Sequence, residues 1–118
     1  MLSFPASLEI YLCTQPTDMR KGFDSLAEII RTGMQRDPLS GQLFVFRSKR
    51  GDRVKLLWWD RDGWALVYKR LEEGVFRFPA ASDSLKQSVL VSAQDLSLLL
   101  WGIDPTSVRR QKRYSRPA

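Results

Sequence analysis

The chain has 118 residues, 43% of them hydrophobic, a formal charge of +6 and no histidine. That length suits one compact domain, and the apolar content excludes a wholly disordered chain. The apolar runs fall far short of the roughly 20 residues needed by a membrane span, which excludes a membrane-spanning helical protein.

The opening MLSFPASLEI has no basic stretch leading into an apolar one, so no export is expected. A single cysteine, Cys13, cannot form an internal disulfide. Both features fit the cytoplasm.

In chain order, LEIYLCT (8–14) alternates Leu8, Ile10 and Leu12 against Glu9, Tyr11 and Cys13, the period of a strand. Pro16 ends it. Thr17 is the expected N-cap of a helix with Asp18 in its first turn. Met19, Phe23, Leu26, Ala27 and Ile30 mark one face of that helix, and Gly33 is its expected stop. Gly22 inside it is a helix weakness of about 1 kcal/mol relative to alanine, consistent with either close packing or simple tolerance.

After a turn at DPLSG (37–41) come three runs rich in strand formers, 42–46, 53–59 and 64–71, then VFRF (75–78), closed by Pro79. The connections SKRGD, DRDG and EEG are too short for parallel crossovers, so neighbouring strands are antiparallel. AASDSLKQ, following Pro79, reads as loop. Ser92 and Asp95 then resemble a capping box before Leu96, Leu99, Leu100 and Ile103, with Gly102 and Pro105 ending a short helix.

The expected architecture is α+β. An antiparallel meander of about four to five strands packs against one main helix, with a short C-terminal helix beyond it. Residues 1–104 form the domain and 105–118 a basic tail.

Charge is unevenly placed. Five of the 19 basic residues lie in 109–118, RRQKRYSRPA, with no acid, leaving a net of +1 over 1–108. Such a tail suits nucleic acid or simply solvent. A second concentration lies in RSKRGDRVKLLWWDRDGWALVYKR, 47–70. Within 53–59, Val54, Leu56 and Trp58 form an apolar face, whereas Arg53, Lys55, Leu57 and Trp59 begin basic and end aromatic.

Arg47, Lys49, Arg50, Arg53, Lys55, Lys69 and Arg70, with Arg109, Arg110, Lys112 and Arg113 of the tail, are therefore the candidate phosphate contacts. Trp59 and Tyr68 are candidates for base stacking or protein contact. An ordinary solvated strand face explains the same residues.

Catalytic equipment is sparse. Without histidine there is no imidazole base or ligand, and Cys13 has no histidine partner for nucleophilic catalysis. No glycine-rich phosphate loop occurs. Asp60-x-Asp62, with Glu72 and Glu73 at the end of the following strand, is the one carboxylate pair at a spacing that suggests Mg²⁺, but Asp62-Gly63 is also what a hairpin turn requires. No enzyme, cofactor or metal site is expected.

PTDMRKGFDSLAEII (16–30), DPLSGQLFVFRSKRGDRVKLLWWDRDGWALVYKRLEEGVFRFP (37–79) and SAQDLSLLLWGID (92–104) resemble the small accessory protein of IS66-class bacterial insertion sequences, a second-reading-frame product. The resemblance implies a component of a mobile element that acts beside a separate, larger transposase, where DNA cutting is expected to reside. It carries no binding or catalytic residue over to this sequence.

Three molecular readings stay open. One is an accessory that contacts DNA, another an adaptor that docks on the cognate transposase without binding DNA. The third is a metal-dependent nuclease built on Asp60, Asp62 and Glu72.

Overall fold

The computed structural model describes residues 4–79 and 86–101. The expected basic tail, together with Gly102, Ile103 and Pro105, lies outside the described residues. The protein is α+β. Its strands are β1 (Ile10–Cys13), β2 (Leu43–Arg47), β3 (Arg53–Asp60), β4 (Gly63–Arg70) and β5 (Ser88–Val91). Helix α1 (Phe23–Glu28) runs into a π-helical turn (Ile29–Gly33), and helix α2 (Ala93–Trp101) closes the described chain.

The strands form one mixed sheet in the order β4-β3-β2-β1-β5. The meander expected from the short connections is present as β2, β3 and β4, with Val45 opposite Leu56 and Leu57 opposite Leu66. β1 runs parallel to β2, pairing Ile10 with Leu43. The segment between them, residues 14–42, is long enough for a crossover and carries α1, as parallel pairing requires. β5 adds antiparallel to β1, with Ile10 opposite Val91.

Residues 75–78, expected as the fourth strand, do not join the sheet. Gly74, at φ 82°, turns the chain back toward the β2–β3 connection, where the Phe76 amide donates to the Gly51 carbonyl at 2.8 Å. Phe76 is thereby buried in the core on the α2 side. Burying a large aromatic side chain is worth about 1.5–3 kcal/mol, which offsets the strand ladder forgone along β4. The remaining sheet positions go to β1 and to β5, which lies just before the Ser92 cap.

Both faces of the sheet are covered. On one, Ile10, Leu12, Leu43, Val45, Val54 and Leu56 pack with Leu96, Leu99 and Leu100 of α2. On the other, Tyr11, Cys13, Phe44, Phe46 and Leu57 pack with Leu26, Ile30 and Met34. The alternation in LEIYLCT therefore divides two apolar faces, and Tyr11 is buried as deeply as its neighbours. Tyr11 stacks on Phe44 with ring centroids 6.0 Å apart, and the Arg36 guanidinium covers its ring at 3.6 Å.

The helix starts differ. Ser92 Oγ accepts the Asp95 amide at 3.0 Å, as the capping box predicts. Thr17 does not cap α1. Its amide donates to the Arg47 carbonyl at 2.8 Å, tying the chain after β1 to the end of β2. The helix begins instead after Gly22, where an added Cβ would meet nothing within 4 Å, so close packing is not the reason for that glycine. Nor does Gly33 stop an α-helix. The last turn widens, with the Met34 amide reaching the Ile29 carbonyl, and Gln35 takes the positive φ of 55°.

Gly51 controls the β2–β3 turn. It sits at φ 82°, and a Cβ there would lie 3.5 Å from Val75. A left-handed conformation costs an L-residue roughly 1–2 kcal/mol. Gly51→Ala is therefore expected to lower unfolding stability by about that amount in urea titration. Unchanged stability would show that this turn does not need its glycine.

Candidate nucleic-acid interface

The β2–β3 turn stands at one end of the sheet and sorts the basic residues around it. Its two exposed cations, Lys49 and Arg50, make no salt bridge to a carboxylate among the described residues. Ser48 shapes the turn from within. It is buried, its Oγ accepts the Arg53 amide at 3.1 Å, and it donates to Asp52 Oδ1 at 3.2 Å. A concavity of about 300 Å³ runs from Lys49, Arg50 and Arg53 to Thr17, Asp18 and Met19.

On the α1 side of the hairpin, Arg53 is directly opposite Arg70, and Lys55 opposite Tyr68. Like charges placed opposite each other across two strands repel. Arg70 is relieved by Glu72 at 3.0 Å, while Arg53 Nη1 reaches the Tyr68 hydroxyl at 3.4 Å. Tyr68 is 49% exposed and presents an aromatic face among these cations. Arg53, Tyr68, Arg70 and Glu72 line a second shallow concavity of about 300 Å³.

Lys55 is not part of that open surface. It is 6% exposed, and its Nζ donates to the Lys21 carbonyl at 2.7 Å while lying 4.7 Å from the Tyr68 ring centroid. Its charge pins the segment leading into α1 onto the sheet. Lys69 belongs to the opposite face. Its Nζ donates to the Leu100 carbonyl at 3.1 Å and lies 4.3 Å from the Trp101 ring centroid.

Arg47 also turns from the Arg53–Arg70 surface, donating to the Thr14 carbonyl at 3.2 Å. The sequence-derived set is thus split. Lys49, Arg50, Arg53 and Arg70 gather around the turn, Lys55 is buried, and Arg47 and Lys69 lie on the α2 side. Arg109, Arg110, Lys112 and Arg113 lie outside the described residues.

Acids are interleaved with these cations. Asp18 accepts from the Arg20 side chain at 2.7 Å, and this bonding, reinforced by the Arg20 amide, pulls its carboxyl down to about 2. The pair favours the folded state above the ordinary aspartate value, and the contribution fades as pH falls through about 2. Both partners are exposed, so solvent screening keeps it small.

Asp60 and Asp62 mark the far end of the hairpin. There the Asp62 amide donates to the Asp60 carbonyl at 2.6 Å across Arg61, at φ 61°. Glu72 lies past the other end of β4, roughly 25 Å away at strand rise. These three carboxylates do not converge. Among the described residues, no group of three or more metal-binding side chains could hold an ion, and no helix is long and apolar enough to cross a membrane. Trp59 packs edge-on against Trp64, centroids 5.1 Å apart, and is half-buried at that same far end.

The family model for IS66 Orf2-like proteins matches residues 8–110. This chain belongs to that family. The uncharacterized protein y4jC of Sinorhizobium fredii (strain NBRC 101917 / NGR234) is 38% identical over 117 residues, covering 99% of this chain and 97% of the relative. The uncharacterized protein y4hO of the same organism is 39% identical over 104 residues, covering 88% of each chain. No solved structure matches.

Membership in the IS66 Orf2-like family points to an accessory role in insertion-sequence transposition. The role that geometry gives Lys55 in this IS66 Orf2-like protein is structural. Lys55→Met keeps the apolar stem but leaves the Lys21 carbonyl without its charged donor. The expected loss is about 1–3 kcal/mol of unfolding stability, read from the midpoint shift in denaturant. A variant as stable as the parent would contradict a pinning role.

Proposed function

We propose that this protein is a non-catalytic, cytoplasmic accessory of insertion-sequence transposition that contacts the DNA backbone beside the separate transposase. The observation that carries the reading is the grouping of Lys49, Arg50, Arg53 and Arg70 around the exposed Tyr68 at one end of the sheet. Guanidinium and ammonium groups pair with phosphate oxygens and release condensed counterions, while an exposed phenol can stack or donate. The basic tail, with Arg109, Arg110, Lys112 and Arg113, supplies further phosphate contacts.

Contacts of this kind, from cations to phosphate oxygens, position a protein on DNA without reading its base sequence. Chemistry on the DNA is left to the transposase. Supporting that division, the chain has no histidine, and among the described residues the carboxylates do not converge as metal ligands.

A second reading is favoured by the half-buried Trp59–Trp64 pair at the opposite end of the hairpin. Aromatic residues of this kind are enriched at protein interfaces. In this reading the protein docks on the transposase and any DNA contact is incidental.

The two readings separate by salt. Direct backbone contact predicts duplex affinity that falls linearly on a log–log plot of binding constant against salt, and weakens when 109–118 is deleted. Lys49→Ala with Arg50→Ala is expected to reduce the steepness of that plot by roughly 1–2. No measurable duplex binding at low salt would refute the DNA reading. A salt-resistant complex with transposase, lost in a folded Trp59→Ala variant, would favour the adaptor.

A further inference from the structure

On the α2 side of the same sheet end lies a cleft of about 550 Å³ that none of the sites above uses. Its floor is the end of β1 and its walls are the β2–β3 turn, residues 75–79 and the start of β5. Three cations line it: Arg47, Arg77 and Lys86. No carboxylate does so among the described residues. The other basic surface is different, because there Asp18, Asp52 and Glu72 alternate with the cations.

The cleft is built rather than incidental. Thr14 fastens the wall before β5 to the floor, its amide donating to the Gln87 carbonyl at 3.0 Å and its hydroxyl to the Lys86 carbonyl at 2.9 Å. The Thr14 carbonyl holds the Arg47 guanidinium, which also lies 5.8 Å from the Phe78 ring centroid. Arg47 is therefore preorganised at the back, and Arg77 and Lys86 are exposed at the mouth. Phe78, half-buried, gives the wall an aromatic surface next to the three charges.

From this arrangement we infer that the cleft binds single-stranded DNA, its phosphates held by Arg47, Arg77 and Lys86 and a base stacked against Phe78. The size of the cleft falls within the range of pockets that enclose small ligands, about 300–1,000 Å³. A duplex, whose major groove alone is about 12 Å wide, rests on a surface rather than entering such a space. A single strand can turn its bases out and thread between cations and an aromatic ring. This inference rests on the reading that the protein contacts DNA, and assigns a particular strand state to a particular site.

The test uses the full chain and two fluorescein-labelled probes: a short single-stranded oligodeoxynucleotide without self-complementarity, and the same sequence as a duplex. Anisotropy titrations compare the parent with Arg77→Glu/Lys86→Glu and with Lys49→Glu/Arg50→Glu. All four side chains are exposed, and thermal unfolding verifies that each variant remains folded. The expected result is single-strand binding that the Arg77/Lys86 variant weakens about tenfold or more, with a smaller effect on the duplex.

Single-strand affinity that the Arg77/Lys86 variant leaves intact would overturn the cleft assignment. So would binding of the duplex alone, lost only in the Lys49/Arg50 variant; the DNA reading would then survive. If neither probe bound at low salt, the cleft assignment and the broader reading would fall together.

Discussion

The structure depends on covering both faces of a small sheet at once. β1 and β2 lie inside it, and every residue of β1 and all but the last of β2 are buried. A four-residue strand such as IYLC can hold that central place because each of its faces meets a separate apolar layer. Leu26, Ile30 and Met34 come from the α1 side, and Leu96, Leu99 and Leu100 from α2. With the faces occupied, charge is left to the ends of the sheet and to its outer hairpin. Lys49, Arg50, Arg53 and Arg70 accordingly gather around the β2–β3 turn.

Turn chemistry then decides which way each cation looks. Gly51 lets the turn approach residues 75–76, and the hydrogen bond from Phe76 fastens the returning chain there. That return converts a possible edge strand into the wall of the Arg47, Arg77 and Lys86 cleft. On the opposite side, Lys55 holds the approach to α1 against the sheet, leaving Arg53, Tyr68 and Arg70 uncovered. One turn therefore separates two basic surfaces, a cleft lined among the described residues by cations without a carboxylate and a mixed-charge platform.

Much of the architecture was legible in the sequence. β2, β3 and β4 follow from strand-forming runs joined by short polar connections, and α2 follows from the Ser92 and Asp95 cap. The parallel placement of β1 was not, because a period-two run reveals a strand but not its neighbour. Nor was β5, since SVLV is short and runs into the cap without a turn signal. VFRF reads as a strand locally, and only tertiary burial of Phe76 takes it out of the sheet.

The basic residues were legible as a group but not as surfaces. Alternation separates Lys69 from Arg70, yet it does not say that α2 will cover Lys69 or that Lys55 will be buried under the approach to α1. Arg77 and Lys86 carry no local pattern that marks them. They meet across the cleft because β5 pairs with β1, a contact between residues far apart in the chain.

The central claim is that this IS66 Orf2-like protein touches DNA with one end of its sheet while both faces remain committed to the core. Titrating unlabelled DNA into isotopically labelled protein and following backbone amide shifts by NMR tests it most directly. The account predicts changes concentrated at residues 47–53, 68–70, 75–79 and 86–88, with the Arg61–Asp62 turn undisturbed. Shifts centred on the Trp59–Trp64 end of the hairpin, or none at low salt, would contradict it.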